Sequence, residues 1–256
     1  MKETIRICVS LLLIAGAVMF FLLCCGKDEK NILSNCETSA IFNPNKNYGT
    51  LIDQEGNVYK TIQIGSQTWM AENLRTTTYR NGEKIPEVTD NNTWNNLNTG
   101  AYCNYNNTKS IDTICTFGRL YNWFAVNDNR NIAPAGWHVP TYDEWLILEA
   151  YLGDTVAASK LKESGSLHWK SFSYYPDQMA NNETGFTALP GGYRWIRYGG
   201  ETGFFHVEIE GGWWSVTEDE DNLDNAFHAT MGYNYISIGG CFCTKLDGYS
   251  IRCVKD

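Results

Sequence analysis

The sequence predicts an α+β domain: a short hairpin, two or three short helices, and then a mostly antiparallel, loop-rich sheet. Three observations carry this. Val58, Ile62 and Ile64 stand among polar neighbours just ahead of Gly65-Ser66, which is strand spacing followed by a turn. Trp145, Leu148 and Leu152 recur at helical spacing behind a capping signature. From Gly185 onward, glycines punctuate short aromatic stretches, as they do where strands alternate with turns.

The elements follow in order. Residues 53–57 (Asp-Gln-Glu-Gly-Asn) read as a turn. Residues 58–64 then form a strand, and Gly65-Ser66 closes a two-residue hairpin into residues 67–70. Residues 80–112 are rich in Asn, Thr and Gly and read as long loops. Residues 120–126, short, apolar and aromatic, are expected to be helical. Thr141-Tyr142-Asp143-Glu144 is a capping box: the threonine hydroxyl accepts from the third helical N–H, and Glu144 reaches back. Gly153 suits the left-handed stop of that helix. A second short helix is expected over residues 155–163, closed by Gly165. Beyond it, Gly185-Phe186, Gly191-Gly192-Tyr193 and Gly211-Gly212-Trp213-Trp214 mark short strands, with alternating segments at residues 233–238 and 249–254.

The amino terminus reads as a targeting segment. Lys2 and Arg6 precede an uncharged apolar run over residues 9–23. That run falls short of the ~20 residues a spanning helix needs. It ends in Leu22-Leu23-Cys24-Cys25-Gly26: an apolar residue three before the cut, a small one just before it, and cysteine just after. Residues 1–24 are therefore expected to be a lipoprotein signal peptide and Cys25 the lipidated residue. An uncleaved anchor helix is the alternative, and it leaves the domain on the same outer side. Gly26-Lys27-Asp28-Glu29-Lys30 resembles the charged tag that sends some bacterial lipoproteins to the outer face of the outer membrane. Residues 25–47, polar and Asn-rich, are expected to be a flexible tether, and residues 48–256 one domain.

The chain carries net charge −9, and the leader's Lys2, Glu3 and Arg6 leave the remainder one unit more acidic. An acidic chain with no basic stripe excludes nucleic acid as a partner. Nine Trp and fifteen Tyr suit surfaces that stack on sugars or proteins. Beyond Cys25 stand Cys36, Cys103, Cys115, Cys241, Cys243 and Cys253, an even set that predicts disulfides in an exported chain. Cys241 and Cys243 would point the same way on a strand and then need different partners. Metal ligation is the alternative, although no C-x-x-C is present.

Several longer stretches match one family. They include Gly56-Asn57-Val58-Tyr59-Lys60-Thr61, Gln67-Thr68-Trp69-Met70-Ala71-Glu72-Asn73-Leu74, Gly100-Ala101-Tyr102-Cys103 and Gly118-Arg119-Leu120-Tyr121-Asn122-Trp123. Gly136-Trp137-His138-Val139-Pro140-Thr141, Gly185-Phe186-Thr187-Ala188-Leu189-Pro190-Gly191-Gly192 and Ser250-Ile251-Arg252-Cys253-Val254 follow in order. On these motifs the chain resembles the Fibrobacter succinogenes major paralogous domain of bacterial surface and secreted proteins. Val139-Pro140-Thr141-Tyr142-Asp143-Glu144-Trp145 and Ile251-Arg252-Cys253-Val254 are also similar to formylglycine-generating, sulfatase-modifying domains. Those domains have a C-type-lectin-like architecture, and the resemblance implies that fold here. It further implies a Cys103–Cys253 disulfide, because both cysteines lie inside family motifs. Cys115 with one of Cys241 or Cys243, and Cys36 with the other, would complete three bridges.

The chain has no P-loop, no H-E-x-x-H, no G-x-S-x-G and no dinucleotide fingerprint. His138, just ahead of the helix cap, reads as a hydrogen-bonded structural residue rather than a base. A non-catalytic chain without a cofactor is therefore expected. Glu218, Asp219, Asp221 and Asp224 are candidate carboxylates for calcium, with a solvated acidic loop as the alternative. Tyr193, Trp195, Tyr198 and Trp214 are candidate ligand-binding aromatics. Of the Trp213-Trp214 pair, one is expected inside and the other is left open. The resulting expectation is a surface-exposed outer-membrane lipoprotein that binds a glycan or a protein. A structural envelope-complex subunit and a formylglycine-generating-like oxidoreductase are the alternatives. Exposed aromatics in a concave region would favour the first, a flat apolar patch the second, and a pocket enclosing thiols the third.

Overall fold

The computed structural model describes residues 36–171, 180–196 and 201–256. The expected signal peptide, Cys25 and Tyr198 lie outside the described residues.

The chain opens with β1 (Gly49–Ile52), β2 (Val58–Ile64) and β3 (Gln67–Met70). Asp53 shapes the first turn: Oδ1 accepts from the backbone N–H of Glu55 and of Asn57, each at 2.9 Å. The second turn is the two-residue hairpin expected, with Ile64 opposite Gln67 and Gly65 at φ +59°. Next come α1 (Asn91–Asn95), β4 (Tyr102–Cys103), α2 (Ile111–Phe117), β5 (Leu120–Tyr121), α3 (Trp123–Val126) and β6 (Trp137–His138). The expected loop over residues 80–112 thus holds a short helix and a strand, and α2 begins at its end. Side-chain caps explain why: Asp90 accepts from the N–H of Thr93, and Ser110 from that of Thr113. The helix expected over residues 120–126 is also corrected. Leu120 and Tyr121 pair with β4, and Asn122 caps α3 by accepting from the N–H of Ala125.

Then α4 (Tyr142–Leu152) and α5 (Ala157–Leu161) follow. The capping box is formed as expected: the N–H of Glu144 lies 3.2 Å from Thr141 Oγ1, and the N–H of Thr141 lies 2.8 Å from Glu144 Oε2. Five strands come next: β7 (Gly191–Ile196), β8 (Thr202–Val207), β9 (Glu210–Glu218), β10 (Asn225–Gly232) and β11 (Gly239–Thr244). The short β12 (Val254–Lys255) ends the fold. Residues 233–238 are not a strand; they connect β10 to β11. Lys162 holds that connection, donating from Nζ to the carbonyls of Gly232 (2.9 Å) and Tyr235 (2.7 Å).

Two sheets of five strands result. One runs β1-β2-β3-β12-β6 and is antiparallel, with Val254 paired to both Trp69 and His138. The other runs β11-β10-β9-β7-β8, antiparallel except for β7 beside β9. The protein is a sheet-rich α+β domain with few short helices. No described helix is long and apolar enough to cross a membrane.

Strand β9 lies inside the second sheet, and both its faces are covered. Trp213 packs with Trp69, Trp145, Phe186 and Phe227 on one side. Trp214 packs with Tyr121, Trp123, Tyr193 and Tyr249 on the other. Consecutive strand residues point to opposite faces, so both indoles are fully buried. This corrects Trp214 as a ligand-binding candidate. Each indole N–H has an acceptor: Asn73 Oδ1 for Trp213 (2.9 Å) and the Tyr121 carbonyl for Trp214 (2.8 Å). Gly212 is required by this packing, since a Cβ there would sit 2.5 Å from the Tyr249 ring.

One disulfide joins Cys36 to Cys115. The residues around Cys36 therefore pack on the domain rather than belonging to a free tether, and the compact unit spans residues 36–256. The expected Cys103–Cys253 bridge is corrected: both are buried free thiols. Cys103 packs with Trp94, Ala101 and Leu120, and Cys253 belongs to a different apolar cluster with Met70 and Leu74. Burial pushes both thiols up, Cys103 to about 12. Cys241 and Cys243 are also free, so neither takes Cys36 or Cys115 as its partner.

Candidate functional site

The second sheet carries an open pocket of about 260 Å³. Strand alternation builds its floor. On β10, Phe227, Ala229 and Met231 face an apolar cluster, so Ala226, His228 and Thr230 face the other way. The hairpin register sets Cys241 opposite His228 and Cys243 opposite Ala226. Directly opposed residues share a face, and so do residues two apart on a strand. His228, Cys241 and Cys243 therefore converge, with ligand atoms within 4.8 Å of one another.

The two Sγ atoms lie 2.9 Å apart, and Cys241 Sγ is 4.0 Å from His228 Nδ1. The His228 ring stacks on Tyr249 with centroids 4.1 Å apart and planes 13° apart. Its Nδ1 is 3.1 Å from the Cys241 carbonyl, which only accepts, so Nδ1 carries a hydrogen. The Cys241 thiol is held far below the usual thiol range, first by a hydrogen bond from Cys243 and then by one from His228. Cys243 is pushed far upward by the same shared hydrogen bond and by burial. Cys241 and Cys243 thus share one close sulfur–sulfur contact beside the His228 imidazole. A thiolate beside an imidazole is a nucleophile and a soft-metal ligand.

Tyr193 and Trp195 of β7, with Glu210, Thr230 and Tyr249, complete the wall. Trp195 is 38% exposed and sits edge-on against Phe205, centroids 5.9 Å apart. Tyr193 is buried, its hydroxyl 2.9 Å from His206 Nδ1. Glu210 accepts from the Thr230 hydroxyl at 2.5 Å and lies 3.0 Å from His206 Nδ1. Two of the four sequence-derived aromatic candidates, Tyr193 and Trp195, thus meet at one site.

The acidic candidates lie elsewhere, at the end of β9 and in the connection to β10. Glu218 is engaged by Lys245 Nζ at 2.9 Å, and Asp219 Oδ1 accepts from the N–H of Asp221 at 3.0 Å. Asp221 and Asp224 are exposed. Among the described residues, the group with metal-ligand spacing is the His228 cluster and not this loop. His138 bonds Asp256 (2.7 Å) and Glu144 (2.8 Å), in keeping with a structural role. His228, Tyr249, Thr230 and Glu210 escaped the sequence reading. Their signal is the period-two alternation of residues 225–232 against 239–244. Taking residues 233–238 as a strand, when they are the hairpin connection, hid that register.

Comparison with curated proteins gives no match, and comparison with solved structures gives none either. Residues 62–255 match the family model described as the Fibrobacter succinogenes major domain, a stretch that takes in the pocket and every strand of the second sheet. The chain with this thiol- and aromatic-lined pocket therefore belongs to the Fibrobacter succinogenes major domain family.

Proposed function

We propose that this chain is an exported, surface-exposed lipoprotein of the outer membrane, anchored by lipid on Cys25, whose domain is a non-catalytic binding module for a glycan. The carrying observation is Trp195: a part-exposed indole on the wall of a pocket that also offers the Glu210 carboxylate and the Thr230 hydroxyl. An exposed indole packs against the C–H face of a sugar, and a few polar groups beside it fix orientation. The Cys36–Cys115 disulfide supports an oxidising compartment outside the cytoplasm. The return of β12 to the hairpin sheet supports the C-type-lectin-like identity of the fold.

The test is a glycan-array and polysaccharide pull-down with residues 26–256, oxidised. Binding that weakens at least tenfold in Trp195→Ala, with near-ultraviolet circular dichroism unchanged, is the expected result. No binding across the arrays would instead place the partner among envelope proteins, to be found by cross-linking on intact cells.

A second reading, a thiol-dependent oxidoreductase, is favoured by Cys241 and Cys243 lining the pocket. A thiol-dependent activity lost in Cys241→Ser and kept in Trp195→Ala would establish it over the first.

A further inference from the structure

The pocket floor carries a feature that sugar binding does not use. Cys241 and Cys243 stand two apart on edge strand β11, and His228 faces them from β10. We propose that Cys241, Cys243 and His228 form a site for Zn²⁺, with the fourth coordination position turned to the pocket. This goes beyond the glycan reading and does not depend on it.

Three observations argue for it. The first is the ligand set. Two sulfurs and an imidazole are what a borderline-soft, four-coordinate cation selects, and three protein ligands leave one position open. The second is order already present in the site. The His228 ring is held by its stack on Tyr249, so the plane of the imidazole is set before an ion arrives. The third is backbone geometry, which separates a cation from the obvious rival, a Cys241–Cys243 disulfide. Residues two apart on a strand have Cα atoms roughly 6.6 Å apart, near the upper limit of about 6.8 Å for a disulfide. That places a disulfide at the edge of its geometric range, on a strand whose register to β10 runs unbroken from Asn225 to Thr230. A zinc ion is accommodated by a shift of the sulfurs in the opposite direction. With Zn–S near ~2.3 Å, a tetrahedral centre sets its sulfurs roughly 3.7 Å apart, a small opening of the present 2.9 Å contact. Binding releases thiol protons as each sulfur ligates, and no electrons change hands.

The experiment uses residues 26–256 with the Cys36–Cys115 bridge intact, confirmed by non-reducing peptide mapping. Zn²⁺ is titrated against a chromophoric chelator, and Co²⁺ serves as the spectroscopic probe. The expected result is one ion per chain and a thiolate-to-cobalt charge-transfer band. His228→Ala should weaken affinity at least tenfold, and Cys241→Ser/Cys243→Ser should abolish the band. Glu218→Gln/Asp221→Asn should leave both unchanged. Zn²⁺ should also protect Cys241 and Cys243 of the unmutated protein from iodoacetamide, a readout that does not depend on any variant folding. A Co²⁺ spectrum without a thiolate band would overturn the proposal, as would alkylation indifferent to Zn²⁺ or a Cys241–Cys243 disulfide in the native chain. Loss of glycan binding alone would not touch it, because the titration contains no sugar.

Discussion

Cys36 and Cys115 are bridged with their Cα atoms 5.4 Å apart, although 79 positions separate them in sequence. The bridge fastens the start of the described chain to α2. Hydrogen bonds continue the attachment: the Ser39 N–H donates to Thr116 Oγ1 at 3.1 Å, and the Ile41 N–H to Glu163 Oε1 at 2.5 Å. Glu163 in turn bonds His168 Nδ1 at 2.7 Å, and Ser39 Oγ lies 3.0 Å from His168 Nε2.

Closing a loop of this length restricts the unfolded chain by about 4–5 kcal/mol on the chain-entropy scale, and measured values usually fall lower. Cys36→Ser/Cys115→Ser should therefore lose roughly 2–4 kcal/mol in urea unfolding. A loss under about 1 kcal/mol would mean that the Ser39 and Ile41 hydrogen bonds hold the segment without the bridge.

Arg252 and Asn73 form the buried polar centre of the fold, and their removal should be costly. Arg252 donates to Asn73 Oδ1 (2.8 Å), to the Thr187 carbonyl (2.8 Å) and to the Phe186 carbonyl. Its guanidinium lies 4.3 Å from the centre of the Phe186 ring. The same Asn73 oxygen also accepts from the Trp213 indole. Neither Arg252→Met nor Asn73→Leu leaves these groups another partner of the right shape. Each should lose about 3 kcal/mol or more, since a buried polar group left without its partner bears the full desolvation cost. Arg252→Lys should not rescue, because one ammonium cannot reproduce the planar fork over an aromatic ring. Stability of Arg252→Lys within about 1 kcal/mol of the parent would refute the fork argument.

The parts of the fold that were legible in the sequence are those set by local chemistry. Gly65-Ser66 fixed the hairpin register, and Thr141 with Glu144 fixed the start of α4, because a turn and a cap each need only a few adjacent residues. Long-range pairing was not legible. The alternation in residues 233–238 looks like a strand, yet Lys162, 70 positions upstream of Gly232, holds the segment as a connection. Trp214 looked like a surface aromatic because nothing local says that β9 is covered on both faces. The site followed the same rule. Tyr193 and Trp195 were found by composition, whereas His228 joins Cys241 and Cys243 only through the β10–β11 register. The family motifs containing Cys103 and Cys253 mark packing positions, so reading them as a bridge failed.

His138 gives a pH dependence with a definite sign. Burial of its ring disfavours the charged form, but hydrogen bonds to Asp256 and Glu144 outweigh that and raise its pKa above the ordinary 6.5. A histidine raised on folding contributes its full stabilisation below the unfolded pKa and loses it as pH rises through the folded value. The ring is about one-third exposed, so solvent screening keeps the effect under about 1 kcal/mol. His138→Gln should therefore be less stable than the parent near pH 5.5–6, and the gap should narrow as pH climbs past the raised value. Urea midpoints for both chains across pH 5.5–9 would measure it. A gap that widened with rising pH would mean that His138 is neutral in the fold and that its two carboxylate partners do not hold it charged.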